Sequence, residues 1–173
     1  MPRPFSRRAV LQQIGTSGLA AATGLTGSVP HAFAQDDARP WAIINDDQAR
    51  WLAATCDVFI PEDEYPSASQ AGVVDFIDFQ LSTDYGRGDG LYLQGPFPEG
   101  AAPEQGYQLP YTPRELILSG IDAHLSEGQA LFDLDTAGRE QAIQALSERE
   151  EPIGDIPAGA FFTELLSLTN EGY

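Results

Sequence analysis

Thr112-Pro113-Arg114-Glu115-Leu116-Ile117-Leu118-Ser119-Gly120-Ile121-Asp122-Ala123-His124-Leu125 sets the fold class. A threonine can cap a helix, and a proline at the first helical position lacks only an N–H that would have no partner there. A glutamate three residues after the cap can reach back to the cap's own N–H. Behind this start, Ile117, Ile121, His124 and Leu125 recur at helical spacing and give one buried face. The segment therefore predicts an amphipathic helix that needs other elements to cover it.

The flanking sequence supplies more helices. Upstream, Asn45 or Asp46 can cap a helix on which Leu52, Cys56 and Phe59 share a face, and Pro61 stops it. Glu62-Asp63-Glu64-Tyr65-Pro66 reads as an acidic turn. A second helix is expected to begin near Ser67 or Ser69, with Val73, Phe76, Ile77 and Gln80-Leu81 inward and Asp75 and Asp78 on its polar side. Downstream, Asp135 caps a helix carrying Ile143 and Leu146, and Ile153–Gly159 is a Pro/Gly turn. A last helix holds Phe161, Phe162, Leu165, Leu166 and Leu168, apolar enough on two sides to be buried. No segment alternates as a strand and no internal repeat is present. The expected fold is all-α: a small helical bundle with a long Gly/Pro/Tyr-rich irregular insertion.

That insertion runs from Thr83 to Tyr111. Ten glycines and prolines in it exclude regular structure of any length. Yet Tyr85, Tyr92, Phe97, Tyr107 and Tyr111 are interleaved with them, and disordered segments are poor in aromatics. An ordered loop packed on something is expected. Tyrosines on such a loop offer large contact area with few rotatable bonds, which suits a protein interface. Tyr92, Phe97 and Tyr107 are the expected partner contacts, within Leu91–Tyr111; stacking on a sugar ring and simple loop packing are the competing readings.

The first 34 residues have a different character. Their only charges are Arg3, Arg7 and Arg8, and all 26 acidic residues lie beyond them. Ser6-Arg7-Arg8-Ala9-Val10-Leu11-Gln12 follows the twin-arginine export pattern, with Val10 and Gln12 in place of the usual phenylalanine and lysine. A weakly apolar stretch from Ile14 to Val29 contains four glycines, too dilute for a membrane span. Ala32-Phe33-Ala34 supplies a small-x-small cleavage site. The organisation expected is a twin-arginine signal peptide over 1–34 and one helical domain over 35–173, exported to the periplasm by the twin-arginine translocase. That route carries folded proteins, and so serves those whose cofactor is inserted before export.

The remaining chain carries six arginines and no lysine against the 26 acidic residues, a balance of −20. Such a surface repels nucleic acid and anionic lipid. Net charge of this kind gives solubility, or complements a basic protein partner. Cys56 is the only cysteine, so an intramolecular disulfide and C-x-x-C-H haem attachment are both excluded; a small buried residue is the expected role. His124 is the only histidine left after the signal, and reads as a core or surface residue. Gly86-Arg87-Gly88-Asp89-Gly90 neither ends a strand nor opens a helix, which argues against a nucleotide loop. Asp57, Glu62, Asp63 and Glu64 lack the spacing of a calcium loop and read as a solvated turn. No catalytic, cofactor-binding or metal-ligating residue is assigned to this chain. A folded-export signal on a chain without a cofactor motif points to a cofactor carried by a passenger.

Three stretches together resemble a known family: Cys56-Asp57-Val58-Phe59-Ile60-Pro61 with Glu62, Asp63 and Pro66; Ala71-Gly72-Val73-Val74-Asp75-Phe76-Ile77-Asp78; and Gly95-Pro96-Phe97 through Gln105-Gly106-Tyr107-Gln108 to Pro113-Arg114-Glu115-Leu116. The chain resembles the gluconate 2-dehydrogenase subunit 3 family, small subunits of membrane-bound flavin dehydrogenases. The resemblance implies a non-catalytic escort, with FAD on a large partner subunit that oxidises the sugar acid and is exported with the small one. It implies haem c on a third, membrane-associated cytochrome c subunit that passes electrons towards quinone. It also implies a Gly-Gly-Asn-containing tail beyond Tyr173, which leaves two readings of this end: a natural terminus, or a domain truncated at its C-terminus. The alternative function is a stand-alone periplasmic sugar-acid-binding protein or enzyme with its site in the aromatic loop.

Overall fold

The computed structural model describes residues 40–97 and 108–173. The signal-peptide positions, including Arg7, Arg8, Ala32 and Ala34, lie outside the described residues, as does Tyr107. Six α-helices and a short 3-10 turn account for the regular structure of the described residues, and no strand occurs among them. The all-α expectation is met.

Helix α1 spans Asp46–Phe59 and opens on a reciprocal cap. The Asn45 side chain accepts the Gln48 N–H at 2.9 Å, and the Gln48 side chain accepts the Asn45 N–H at 2.9 Å. Trp51, Leu52 and Cys56 are fully buried on its inner face. Helix α2 spans Val73–Ser82 and α3 spans Asp84–Arg87. Helix α4, Pro113–Ser126, has the expected cap, with Thr112 and Glu115 bonded in both directions. After the 3-10 turn at Leu131–Asp133, α5 spans Thr136–Ser147 under the Asp135 cap, and α6 spans Ala158–Gly172. An isolated antiparallel bridge between Ile153 and Ile156 closes the turn before α6.

Helices α1 and α6 are the centre of the bundle. Each packs against α2, α4 and α5, and against the other. Phe161 and Leu165 of α6 meet Trp51 and Leu52 of α1, Ile77 and Leu81 of α2, and Ile117 and Ile121 of α4 in one buried cluster. Trp51 sits between two rings, edge-on to His124 at 5.3 Å and tilted to Phe161 at 5.9 Å. Its indole N–H donates to the Gln129 carbonyl at 3.2 Å, so the polar edge of this deeply buried residue is satisfied.

Three expectations need correction. Helix α2 begins at Val73, after a left-handed Gly72 with φ of 91°, and not at Ser67 or Ser69. Those serines are spent on the preceding turn: the Ser69 N–H and hydroxyl both donate to Asp57, and the two serine hydroxyls are 3.3 Å apart. Asp78 does not belong to a polar face. It is 7% exposed, and its carboxylate accepts the backbone N–H groups of Ala42, Ile43 and Ile44 at 2.6, 3.0 and 3.1 Å. It thereby straps the segment before α1 onto α2. Finally, the glycine-rich stretch after Thr83 does form a helical turn, α3. Gly86 is buried there against the end of α2, where an added Cβ would lie 1.9 Å from the Leu81 carbonyl oxygen. The glycine that looked like a helix breaker is what allows this turn to pack.

Candidate functional site

The loop that follows α3 is built from its two ends inward. Gly88, left-handed at φ 70°, reverses the chain, and the Leu91 N–H donates to its carbonyl at 2.8 Å. Leu91, Leu93 and the Thr112 methyl all approach Gly88, each within 3.5 Å of where a Cβ would stand. At the far end, Leu109 and Tyr111 pack on the core, and the Tyr111 hydroxyl donates to the Asp155 carbonyl at 2.8 Å. Arg114 Nε bonds the Leu81 carbonyl at 2.8 Å, tying the start of α4 to the end of α2. The loop's described ends are therefore fixed on the helical body.

Side chains alternate along this anchored stretch. Leu91 and Leu93 are half-buried, and Tyr92 between them is 75% exposed. Of the sequence-predicted contacts, Tyr92 is thus held outward on a short tether. Phe97 is half-buried, beside Gly95. Tyr85 and Tyr111 belong to the bundle's own hydrogen bonding, through Glu164 and Asp155 respectively.

The chemistry-bearing residues do not assemble a reactive centre. Cys56 is completely buried, with its sulfur 3.3 Å from the Thr169 hydroxyl. Burial pushes its thiol up to about 11, against a smaller downward pull from Thr169, so it is protonated at neutral pH. His124 is also buried, and its Nδ1 has no hydrogen-bond partner among the described residues. Burial lowers its pKa; Glu127 opposes that shift, and Arg149 adds to it. Glu127 and Arg149 are themselves joined by two hydrogen bonds of 2.7 and 2.9 Å that link the ends of α4 and α5.

A cleft of about 280 Å³ lies between the end of α1, the turn before α2 and the start of α5. Three of its four charged side chains have partners within the fold. Asp57 holds Ser69, Glu62 accepts from Gln70, and Arg139 donates to the Leu131 and Phe132 carbonyls. Asp57 is therefore a turn-closing residue and not part of the solvated acidic run in which the sequence placed it. Among the described residues, no group of three His, Cys, Asp or Glu side chains could hold a metal ion. No helix among them is long and apolar enough to cross a membrane.

The family model of gluconate 2-dehydrogenase subunit 3 matches residues 46–173, from the first residue of α1 through α6. The chain belongs to that family. No curated protein and no solved structure matches it. As a subunit 3, it is by family name one member of a multi-subunit gluconate 2-dehydrogenase assembly. For a subunit, the surface features worth weighing are those that meet another chain. Of the sequence-predicted candidates among the described residues, Tyr92 is the one that the fold leaves accessible. Exposed aromatics elsewhere on the body, Tyr65 and Phe79 among them, were not singled out by sequence, because a lone aromatic in a turn or on the outer side of a helix carries no distinguishing pattern.

Proposed function

We propose that this subunit 3 is the non-catalytic small subunit of a periplasmic flavin-dependent gluconate 2-dehydrogenase-type complex. It carries the twin-arginine signal, with Arg7 and Arg8 as the recognised pair and Ala32 and Ala34 at the cleavage site. It escorts and stabilises an FAD-binding subunit, and a membrane-associated cytochrome c subunit receives the electrons. The observation that carries this reading is the family match across the helical domain. A buried, protonated Cys56 and a buried His124 support a structural role for the domain, since neither is placed to attack or deprotonate a substrate.

The test is to replace Arg7 and Arg8 together by lysine in the full chain, co-expressed with the FAD-binding subunit, and to fractionate the cells. Both proteins are expected to stay in the cytoplasm. An FAD-binding subunit that still reaches the periplasm would overturn the escort role, even if this chain were itself retained.

A further inference from the structure

Away from the Tyr92 loop, the seam between α2 and α6 carries a row of aromatic side chains. At one end the Tyr85 hydroxyl bonds Glu164 of α6. Eight residues further along α6, about 12 Å at the helical rise, Gly172 lies against the Phe76 ring of α2, close enough that a Cβ would stand 2.6 Å from it. Phe79 follows Phe76 by about one turn of α2 and is itself exposed. Beyond Gly172, the Tyr173 hydroxyl donates to the Pro66 carbonyl at 3.0 Å, which brings the Tyr65 turn to the same side. Tyr65, Phe79 and Tyr173 are 62, 63 and 51% exposed. Of the six large hydrophobic side chains exposed among the described residues, Tyr65, Tyr85 and Tyr173 are tied to this seam by these contacts, and Phe79 lies one turn of α2 from Phe76. Scattered surface aromatics need no explanation, but a contiguous set does.

The row's border is predominantly acidic. Glu62, Asp63 and Glu64 precede Tyr65, Asp75 lies one helical turn before Phe79, and Glu171 flanks the Gly172–Tyr173 end. Two cations lie near Tyr85: Arg87, paired with Asp84 and Asp89, and Arg114, held by the Leu81 carbonyl at the end of α2. No ion pair among the described residues engages Glu62, Glu64, Glu164 or Glu171. An apolar strip edged by carboxylates is complementary to a protein groove edged by Arg and Lys. The same carboxylates repel anionic lipid and nucleic acid. A second copy of this chain would bring acid against acid.

We propose that the row Tyr65–Phe76–Phe79–Tyr85–Tyr173 is a docking face for a basic-edged apolar groove on the FAD-binding subunit. This rests on the escort reading above and adds to it a face separate from the Tyr92 loop. The carboxylate border steers the approach, and Phe79 and Tyr65 fill the groove.

The experiment uses the full chain and the FAD-binding subunit, co-expressed and purified as a complex, with affinity measured after separation. Phe79→Glu is compared with the wild type and with Leu134→Glu, an exposed apolar position off the row. Phe79→Glu is expected to weaken binding about tenfold or more without lowering the melting temperature, and Leu134→Glu to leave binding unchanged. Wild-type affinity should also fall as salt is raised. If Phe79→Glu lowers the melting temperature, Tyr65→Glu on the turn gives the same readout. A wild-type complex that both row variants leave intact overturns this docking face while the escort role stands. A wild type that does not bind the FAD-binding subunit overturns both. A self-associating wild type that Phe79→Glu renders monomeric assigns the row to a second copy, and that too overturns it.

Discussion

Gly120 of α4 leaves open the space that the Phe161 ring of α6 occupies: a Cβ at position 120 would stand 2.4 Å from the ring's Cδ2. Phe161 in turn packs on Trp51, so this close approach sets the depth at which α6 seats against α4 and α1. Replacing Gly120 by alanine gains about 1 kcal/mol of helix propensity and costs about 1–3 kcal/mol of overpacking. The contact distances, all below 3 Å to ring atoms, decide that the packing term wins. Gly120→Ala should therefore lower the melting temperature of the domain, and Phe161→Leu in the same chain should recover part of the loss. A Gly120→Ala protein that melts higher than wild type would show that the helices are free to move apart.

Asp78 makes a separate prediction, because its carboxylate is the acceptor for three consecutive backbone N–H groups. Asp78→Ala leaves at least the buried Ile44 N–H without a partner, at a cost of about 1–3 kcal/mol. The residues before α1 should then detach. Limited proteolysis is expected to cut within 40–45 much faster than in the wild type, with the bundle itself surviving. Asp78→Asn keeps one carbonyl oxygen and should fall between the two. Equal cutting rates in all three proteins would mean that the strap is held by Trp41 and Ile43 packing instead.

The pH dependence of stability follows from His124. Its folded pKa is lowered, chiefly by burial, so the unfolded chain takes up the proton first as pH falls. Stability is then greatest above the unfolded value of about 6.5. It declines as pH drops through that value, and goes on declining until the folded-state value is reached. Urea unfolding of the wild type and of His124→Gln should show a difference that narrows as pH falls from about 7.5 through the unfolded value of about 6.5 and below it. A constant difference across that range would mean that the imidazole titrates alike in both states.

These residues also mark how far the sequence could be read. The caps at Asn45, Thr112 and Asp135 were legible because each is a local pattern of three or four residues. The start of α2 was not, since Ser67 and Ser69 look like caps but bond to each other, to Gln70 and to Asp57 twelve residues upstream of Ser69. Asp78 was misplaced because helical periodicity records polarity and knows nothing of partners 34–36 residues away. Of the site, Tyr92 was found through composition, since aromatics in a Gly/Pro loop are unusual. Phe79 fell outside the inward face of Val73, Phe76, Ile77 and Gln80-Leu81, but a single outward ring carries no sequence signal of its own; the Gly172–Phe76 contact that brings α6 beside this helix is non-local.

The Tyr92 loop separates interface from self-packing by a measurement on two properties at once. Tyr92 is 75% exposed and its flanking leucines, not its own ring, hold the loop down. Tyr92→Ala should therefore leave the melting temperature of the isolated subunit unchanged. If the ring is an interface anchor, burying it contributes on the order of 2–3 kcal/mol, so its loss should cut retention of the FAD-binding subunit by more than tenfold. Phe97 is half-buried, and Phe97→Ala should show some loss of both melting temperature and partner. Tyr107→Ala, at a position outside the described residues, is expected to behave as Tyr92→Ala does if it too contacts the partner. Leu93→Ala is the internal control: it loosens the tether, so it should lower the melting temperature and partner retention together. Lowered melting with full partner retention for Tyr92→Ala would place its ring in the subunit's own packing and remove this loop from the interface.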